Sequence, residues 1–446
     1  MGVNNNGVGS FFLTQKSERS FVRTKETSGQ GANMLQLMPT IAIIGSGPAG
    51  CYSAQFLKKG LPGAEITVFE ALPVPYGLLR YGVAPDHQGT KNISSQFERM
   101  FTTSNVRFVG NVEIGKDIPL TELIDAFDVV VVATGLYVDR KLGIPGDSLS
   151  YVCGAGEILR SLNGYPQSDS NSMGHRSQAL GERIAVIGNG NVAMDVVRLI
   201  AKSEEELAGS DINDIARKNL CTDKVRCIDV IGRSPIEQAK FDLAMLREIC
   251  QLKNATIRWP DKHDGSHGLA ADLLSSTDEA SVGKKGSLEI NFRFNSNPLL
   301  ITARNMSAVL TLNNKSVGSI QDYHYDTIIT AVGFCHNPEG SFASVAGVYS
   351  VGWARRGPTG TVAANRREAA EVSATILKDL ECGRIATGKA GLKTVEDKIT
   401  HKAVTFEQWQ CLDRYEINSA PSGRCRKKAI SIAEMLSVME TGTSLP

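Results

Sequence analysis

The chain has few of the features that bind metals, nucleic acids or bilayers. Its nine cysteines stand at 51, 153, 221, 227, 250, 335, 382, 411 and 425, and no two have C-x-x-C spacing. That argues against a structural zinc site, a cysteine-ligated iron–sulfur cluster or a redox dithiol, so no metal ligand set is expected and free thiols are the simplest account. Any electron carried here must ride on an organic group. The 48 basic and 47 acidic residues leave a net charge of +1, which gives no basic surplus for nucleic acid or a polybasic membrane contact. No apolar run approaches the length of a membrane span. Glycine is abundant instead: 43 in 446 residues, 42% of them hydrophobic and 21% charged, as in a globular chain of two or three domains with many tight βα turns.

The glycines are placed where a diphosphate would need them. The β-branched run from Pro39 to Ile44 leads into Gly45-Ser46-Gly47-Pro48-Ala49-Gly50, a G-x-G-x-x-G turn, and a helix-compatible segment from Cys51 to Lys59 follows. Gly45 allows the tight turn, Gly47 lets the backbone approach phosphates, and Gly50 lets the helix pack on the strand. The helix N-terminus then offers unpaired N–H groups to an anion. A second strand, Glu65 to Glu70, ends in a carboxylate twenty positions after Gly50, where a ribose hydroxyl needs an acceptor. The strand Asp128 to Val132 ends in Ala133-Thr134-Gly135.

The same grammar recurs at Ile184 to Asp195, with Gly188-Asn189-Gly190-Asn191-Val192-Ala193 in the turn, so two nucleotide folds stand in one chain. The next strand, Val225 to Arg233, ends in arginine rather than an acid. A guanidinium there pairs with a 2′-phosphate, which favours NADP over NAD. Between the motifs, residues 73–87 form a shaped proline- and glycine-rich loop ending in Asp86-His87, an adjacent acid–imidazole pair. Residues 165–181 read as a connecting loop and 254–287 as polar and irregular. The strand Asp326 to Gly333 echoes Val129 to Gly135, so the chain leaves its first domain near Gly135 and returns near Gly333. The segment Val351 to Val362 opens a helix and has the makings of another anion-facing N-terminus. The C-terminal stretch, with Trp409 and the basic run 424–428, reads as a docked helix pair carrying a solvated charge run.

By its strings GSGPAG (45–50), PVPYGLLRYGVAPDH (73–87), ATG (133–135), GNGNVAMD (188–195) and GWARRGPTG (352–360), and its tail pattern W-x-x-L-D (409–413), the chain closely resembles the adrenodoxin reductase type of ferredoxin–NADP reductase. The resemblance runs from Thr40 to about Leu436. It implies an α/β flavoenzyme of two Rossmann-like, three-layer dinucleotide-binding domains, with the NADP domain inserted into a discontinuous FAD domain. The expected boundaries are 39–140 and 334–446 for the FAD domain and 141–333 for the NADP domain, with 1–38 a disordered tail or targeting peptide. The implied reaction takes hydride from NADPH onto FAD and passes single electrons to a ferredoxin- or adrenodoxin-like [2Fe–2S] protein. By resemblance, Ala49, Glu70, Leu78, Ile114, Trp353, Gly360, Thr361 and Val362 contact FAD. Asn189, Gly190, Asn191, Val192, Arg233 and Gly360 lie near NADP, and His87 and Glu248 pair near the two reacting rings. The resemblance further implies a monomer with no membrane span, peripheral to a membrane at most, on the mitochondrial matrix side. An NAD(P)H diaphorase with another acceptor and a regulatory FAD/NADP binder that does not turn over are the alternatives.

Three departures from the family pattern stand out. Gly232-Arg233-Ser234-Pro235 replaces G-R-R-G-P, Met245 replaces the first glutamate of K-E-L-R-E, and an arginine-rich segment is replaced by residues 263–287, where Lys284 and Lys285 form the only cationic cluster. Loss of one phosphate-gripping cation costs about 1–2 kcal/mol of NADP preference. NADPH is therefore expected to keep a modest advantage in kcat/KM over NADH, and equal values would contradict the assignment of Arg233.

Overall fold

The computed structural model describes residues 38–166, 178–262, 265–282, 288–335 and 345–442. The tail assigned to 1–38 lies outside these up to residue 37, as do most of the connecting loop expected at 165–181 and the Lys284–Lys285 pair. In chain order the strands are β1 Thr40–Ile44, β2 Glu65–Phe69, β3 Val106–Val109, β4 Val129–Val132, β5 Val138–Asp139, β6 Val152–Gly154, β7 Arg183–Ile187 and β8 Cys227–Ile231. They continue with β9 Ala255–Arg258, β10 Leu288–Arg293, β11 Ser296–Arg304, β12 Ser307–Asn314, β13 Ser319–Tyr325, β14 Thr327–Thr330, β15 Phe334–Cys335 and β16 Val348–Ser350.

Two parallel sheets carry the fold. The first has the order β16-β4-β1-β2-β3 and the second β6-β14-β7-β8-β10-β9. β1 is buried at all five positions, because both faces of a parallel sheet are covered and both must be apolar. Ile41 and Ile43 pack on one side with Cys51, Ala54 and Leu57 of the helix Pro48–Gly60, while Ala42 and Ile44 pack on the other with Leu123, Phe127 and Leu392. The last strand of the first sheet, β16, follows the whole second sheet in sequence, and the two passages of chain between the sheets pair with each other as β5 and β15. Asp139 on that ribbon accepts hydrogen bonds from the N–H groups of Gly156 (2.8 Å) and Glu157 (3.1 Å), capping the helix Ala155–Leu162.

The second sheet is covered differently on its two faces. Ile184, Val186, Ile228 and Val230 meet the helices Asn191–Ala201 and Leu243–Cys250. The opposite face meets the antiparallel meander β11-β12-β13 through Ile301, Leu310 and Leu312. Buried Asp229 under that meander accepts from the Tyr325 hydroxyl (2.6 Å), the Asn291 amide (2.8 Å) and Arg293 Nε (3.2 Å), so its charge is compensated.

Two sequence expectations are corrected here. Residues 254–287 are not simply irregular: β9 pairs with β10 at the sheet edge, and Leu269–Ala280 is a helix. Its buried contacts are confined to Ala271 and Leu274 amid serines and acids, so the apolar stripe is too narrow to show through the composition. The C-terminal helix pair forms, as Phe406–Asn418 and Ile432–Glu440, but its charge run is not solvated. Arg424 pairs with Glu204 (2.5 Å) and Asp214 (2.8 Å), Arg426 with Asp413 (2.6 Å) and Glu416 (2.9 Å), and Lys428 with Asp211 (2.7 Å). Buried Glu416 and Asp211 need countercharge, and the run supplies it.

Asp211 also receives Lys91 Nζ at 2.9 Å, so one carboxylate serves two buried ammoniums. Burial alone would raise its pKa, but the charges of Lys428 and Lys91 outweigh that and hold it at about 2. A folded pKa below the unfolded one adds stability above the ordinary carboxylate range, and this contribution is lost as pH falls from about 4 to about 2. Asp211→Asn leaves both ammoniums uncompensated and is expected to cost about 3–5 kcal/mol in urea unfolding near neutral pH. An unchanged unfolding midpoint would show that the cluster is not a stabilising one.

Candidate functional site

Both glycine motifs sit where a parallel strand ends and a helix begins. At Gly45 φ is +102°, and a Cβ there would lie 2.6 Å from the carbonyl oxygen of Ala133. A Cβ on Gly50 would lie 2.0 Å from the carbonyl oxygen of Gly45, so the helix packs on the strand only because position 50 has no side chain. A Cβ on Gly47 meets nothing within 4 Å. Gly47 is the N-cap of the helix Pro48–Gly60 and makes no side-chain cap, so the first helical N–H groups, those of Ala49 and Gly50, are left without a capping side chain. The second loop repeats this. Gly188 presses on the Ala331 carbonyl, Gly190 has nothing within 4 Å of its Cβ position, and the helix Asn191–Ala201 starts without a side-chain cap. Two sets of unspent donors at helix N-termini fit two diphosphates.

Around the first loop, Glu70 Oε2 accepts from the Ser46 N–H (3.0 Å) and hydroxyl (2.6 Å), and Oε1 from the Leu72 N–H (3.2 Å). Burial pushes the Glu70 carboxyl up, and the Ser46 hydrogen bonds oppose it. Gly77, just before Leu78, abuts Gly47, and Gly352, just before Trp353, abuts the Ala49 methyl. The Trp353 ring stacks on Phe334 at 5.6 Å and donates from Nε1 to the Thr359 carbonyl (3.2 Å). Thr361 is the uncapped N-cap of the helix Val362–Glu381, which follows Gly360. Thr134 and Gly135 continue past the end of β4. Ile114 lies at the margin of the apolar cluster of Ile44, Phe69 and Ile118.

Around the second loop, the Asn189 carbonyl accepts from Lys240 N–H (3.1 Å), and its buried Nδ2 has no hydrogen-bond partner among the described residues. An orphaned donor of this kind suits a ligand oxygen. Asn191 exchanges two hydrogen bonds with Asp242, at 2.6 and 2.7 Å. Val192 is in the first turn of the helix, and Arg233 lies exposed two residues beyond β8, with no ion pair among the described residues.

The two loops are joined by charge. His87 Nε2 stands 3.5 Å from Glu248 Oε2, and its Nδ1 stands 3.8 Å from Asp195 Oδ1. Sequence reasoning singled out His87 and Glu248 but missed Asp195, Arg198 and Lys202, which complete the cluster. Arg198 and Lys202 both pair with Asp86 Oδ2. Burial would raise the Asp86 pKa, but Arg198 and Lys202 outweigh it and hold it low. For Asp195 burial wins over Arg198 and holds the carboxyl up. The one signal in the sequence was the i, i+3 spacing of Asp195 and Arg198 on the helix after the second motif.

The loops differ in what a side chain would strike, which separates folding from binding. Gly47→Val is expected to fold with a near-normal unfolding midpoint yet lose flavin on gel filtration, whereas Gly50→Val is expected to unfold. Full flavin retention by Gly47→Val would contradict the placement of the diphosphate.

A family model described as pyridine nucleotide-disulphide oxidoreductase matches residues 39–229. All nine cysteines are free in the structure, and no two stand at C-x-x-C spacing. The chain is 41% identical to the cindoxin reductase of Citrobacter braakii, over 90% of this chain and 91% of that protein. It is 28% identical to the mitochondrial NADPH:adrenodoxin oxidoreductase of Salvelinus fontinalis, over 90% and 91%. The solved structure of Mycobacterium tuberculosis FprA in complex with NADPH covers 90% of this chain with all of its own, at a TM-score of 0.79 and 29% identity. Similarity of this depth along nine-tenths of both partners leaves one conclusion: the chain belongs to the adrenodoxin reductase type of ferredoxin–NADP reductases.

Proposed function

We propose that the protein is an NADPH-dependent flavoenzyme that passes single electrons to a ferredoxin- or adrenodoxin-like iron–sulfur protein. The carrying observation is the 3.5 Å contact of His87, at the end of the loop beside the first glycine cradle, with Glu248, on a helix of the second sheet. That contact supports a reading in which the ring ends of two dinucleotides meet at one junction. The FAD domain comprises 39–140 and 334–446, and the NADP domain 141–333.

FAD, when bound, accepts a hydride and releases electrons singly, which suits a chain without a dithiol. The chain's own residues do the holding. Gly47, Ala49 and Gly50 present backbone N–H groups to the FAD diphosphate, while Gly45, whose own N–H is spent on the Phe69 carbonyl (2.8 Å), makes the turn and Pro48, which has no N–H, starts the helix. Glu70 orients Ser46 and accepts from the ribose, while Leu78, Ile114, Ala133, Thr134, Gly135, Trp353, Gly360, Thr361 and Val362 enclose the remainder. Asn189, Gly190, Asn191 and Val192 do the same for NADP, and Arg233 meets its 2′-phosphate. His87 and Glu248 are the catalytic pair, orienting the nicotinamide against the flavin and excluding water from between them.

Two segments offer few spare cations to a docking partner. The helix Leu269–Ala280 carries Asp272, Asp278 and Glu279 and no lysine or arginine, and the run 424–428 spends Arg424, Arg426 and Lys428 on internal pairs. Electron transfer to an acidic ferredoxin should therefore weaken only modestly as salt rises. A monomer is the proposed state. No described helix is long and apolar enough to cross a membrane. A mitochondrial matrix site follows the character of residues 1–38 and the name of the Salvelinus relative, while the Citrobacter relative is bacterial.

The test is anaerobic. NADPH should bleach the flavin of the purified holoprotein, and cytochrome c should then be reduced only when a [2Fe–2S] ferredoxin is added. No bleaching would leave a non-turnover binder, and equal cytochrome c reduction without ferredoxin would leave a diaphorase.

A further inference from the structure

Arg198 is the hub of the junction between the two cradles. Its side chain is fully buried, in a part of the molecule where a lone cation would be costly. Nη1 donates to Asp86 Oδ2, Nη2 donates to Asp195 Oδ1 at 2.6 Å, and Nε lies 3.2 Å from Glu248 Oε2. Asp195 and Glu248 are the two carboxylates that flank the imidazole of His87, and Asp86 is its covalent neighbour. Both carboxylates that flank the His87 ring are thus held by one guanidinium.

Two observations separate this from simple structural pairing. First, Asp86 Oδ1 is buried and makes no hydrogen bond among the described residues. A network kept only for stability would not leave it so, since an unmade buried hydrogen bond costs stability. Second, the groups facing Arg198 are Asp86, Asp195, Glu248, Lys202 and, one step further, His87. Three carboxylates stand against two cations, so the junction balances when it holds one further proton, which Asp195 can carry because burial holds its carboxyl up.

We infer that Arg198 is a positioning residue for hydride transfer: its planar fork fixes where His87 and Glu248 stand, and its charge sets how tightly the junction holds that proton. The inference rests on the proposed function, in which His87 and Glu248 flank the reacting rings. It separates two properties of one side chain, since lysine keeps the charge but lacks the fork.

The experiment uses FAD-loaded wild type, Arg198→Lys and Arg198→Met, with the rate of flavin bleaching by NADPH followed anaerobically by stopped flow across the neutral pH range. FAD content should be equal in all three. Arg198→Met should bleach about 100-fold more slowly, as a misplacement of roughly 1 Å produces. Its pH midpoint should rise by about one unit, because the proton is held more tightly once the cation is gone. Arg198→Lys should restore the midpoint but not the full rate. Wild-type rates and midpoint in Arg198→Met would overturn the inference alone. So would a slow Arg198→Met whose loss tracks lost FAD or a lower Tm with the midpoint unmoved. Wild-type holoprotein that NADPH does not bleach would overturn the functional reading, and this inference with it.

Discussion

A diphosphate can be held by neutral backbone only where several N–H groups point the same way with nothing in front of them, and the structure is built around meeting that condition twice. Helix starts supply such groups, but ordinary N-caps fill them with a serine or aspartate oxygen. Here Gly47 and Gly190 occupy the cap positions and leave them unfilled. The cost is an uncapped helix in each sheet, offset in the first by Pro48 at the helix start, by Lys58 and Lys59 in the last turn and by the wholly buried strand behind it.

Having two such cradles is useful only if their far ends meet, and charge rather than apolar packing marks the meeting place. Asp86 and His87 come from a loop of the first sheet's part of the chain, and Asp195, Arg198, Lys202 and Glu248 from helices on the second. A second cluster, of Lys91, Lys428 and Asp211, ties the same two parts together a short way along the chain. Paired charges of this kind hold geometry closely, because each displaced partner exposes an uncompensated buried charge. The β5–β15 ribbon and the Asp139 cap add backbone constraints at the crossing point.

Most of the cradle geometry was legible in the sequence, because glycine spacing and β-branched runs are local signals. The strand before Gly45, the helix after it and the recurrence at Gly188 to Ala193 all follow from residues adjacent in the chain. The same holds for His87 and Glu248, though only the family resemblance paired them across 161 positions. What stayed hidden is non-local. Arg198 reads as one more charge on an amphipathic helix until Asp86 is brought against it, and the basic run at 424–428 reads as solvated until Asp211 and Glu416 are found beneath it. The meander β11–β13 was missed because its burial follows from the sheet it covers, and the helix Leu269–Ala280 because two buried residues in twelve leave a faint pattern.

The central claim is that the two glycine cradles direct two dinucleotides to one junction beside His87 and Glu248. A crystal structure of the protein with FAD and NADP⁺ bound tests it most directly. The expected result is a nicotinamide C4 about 3–3.5 Å from the flavin N5, with His87 and Glu248 in contact with the rings. Two occupied cradles with the rings held apart by protein or water, and His87 touching neither, would contradict it.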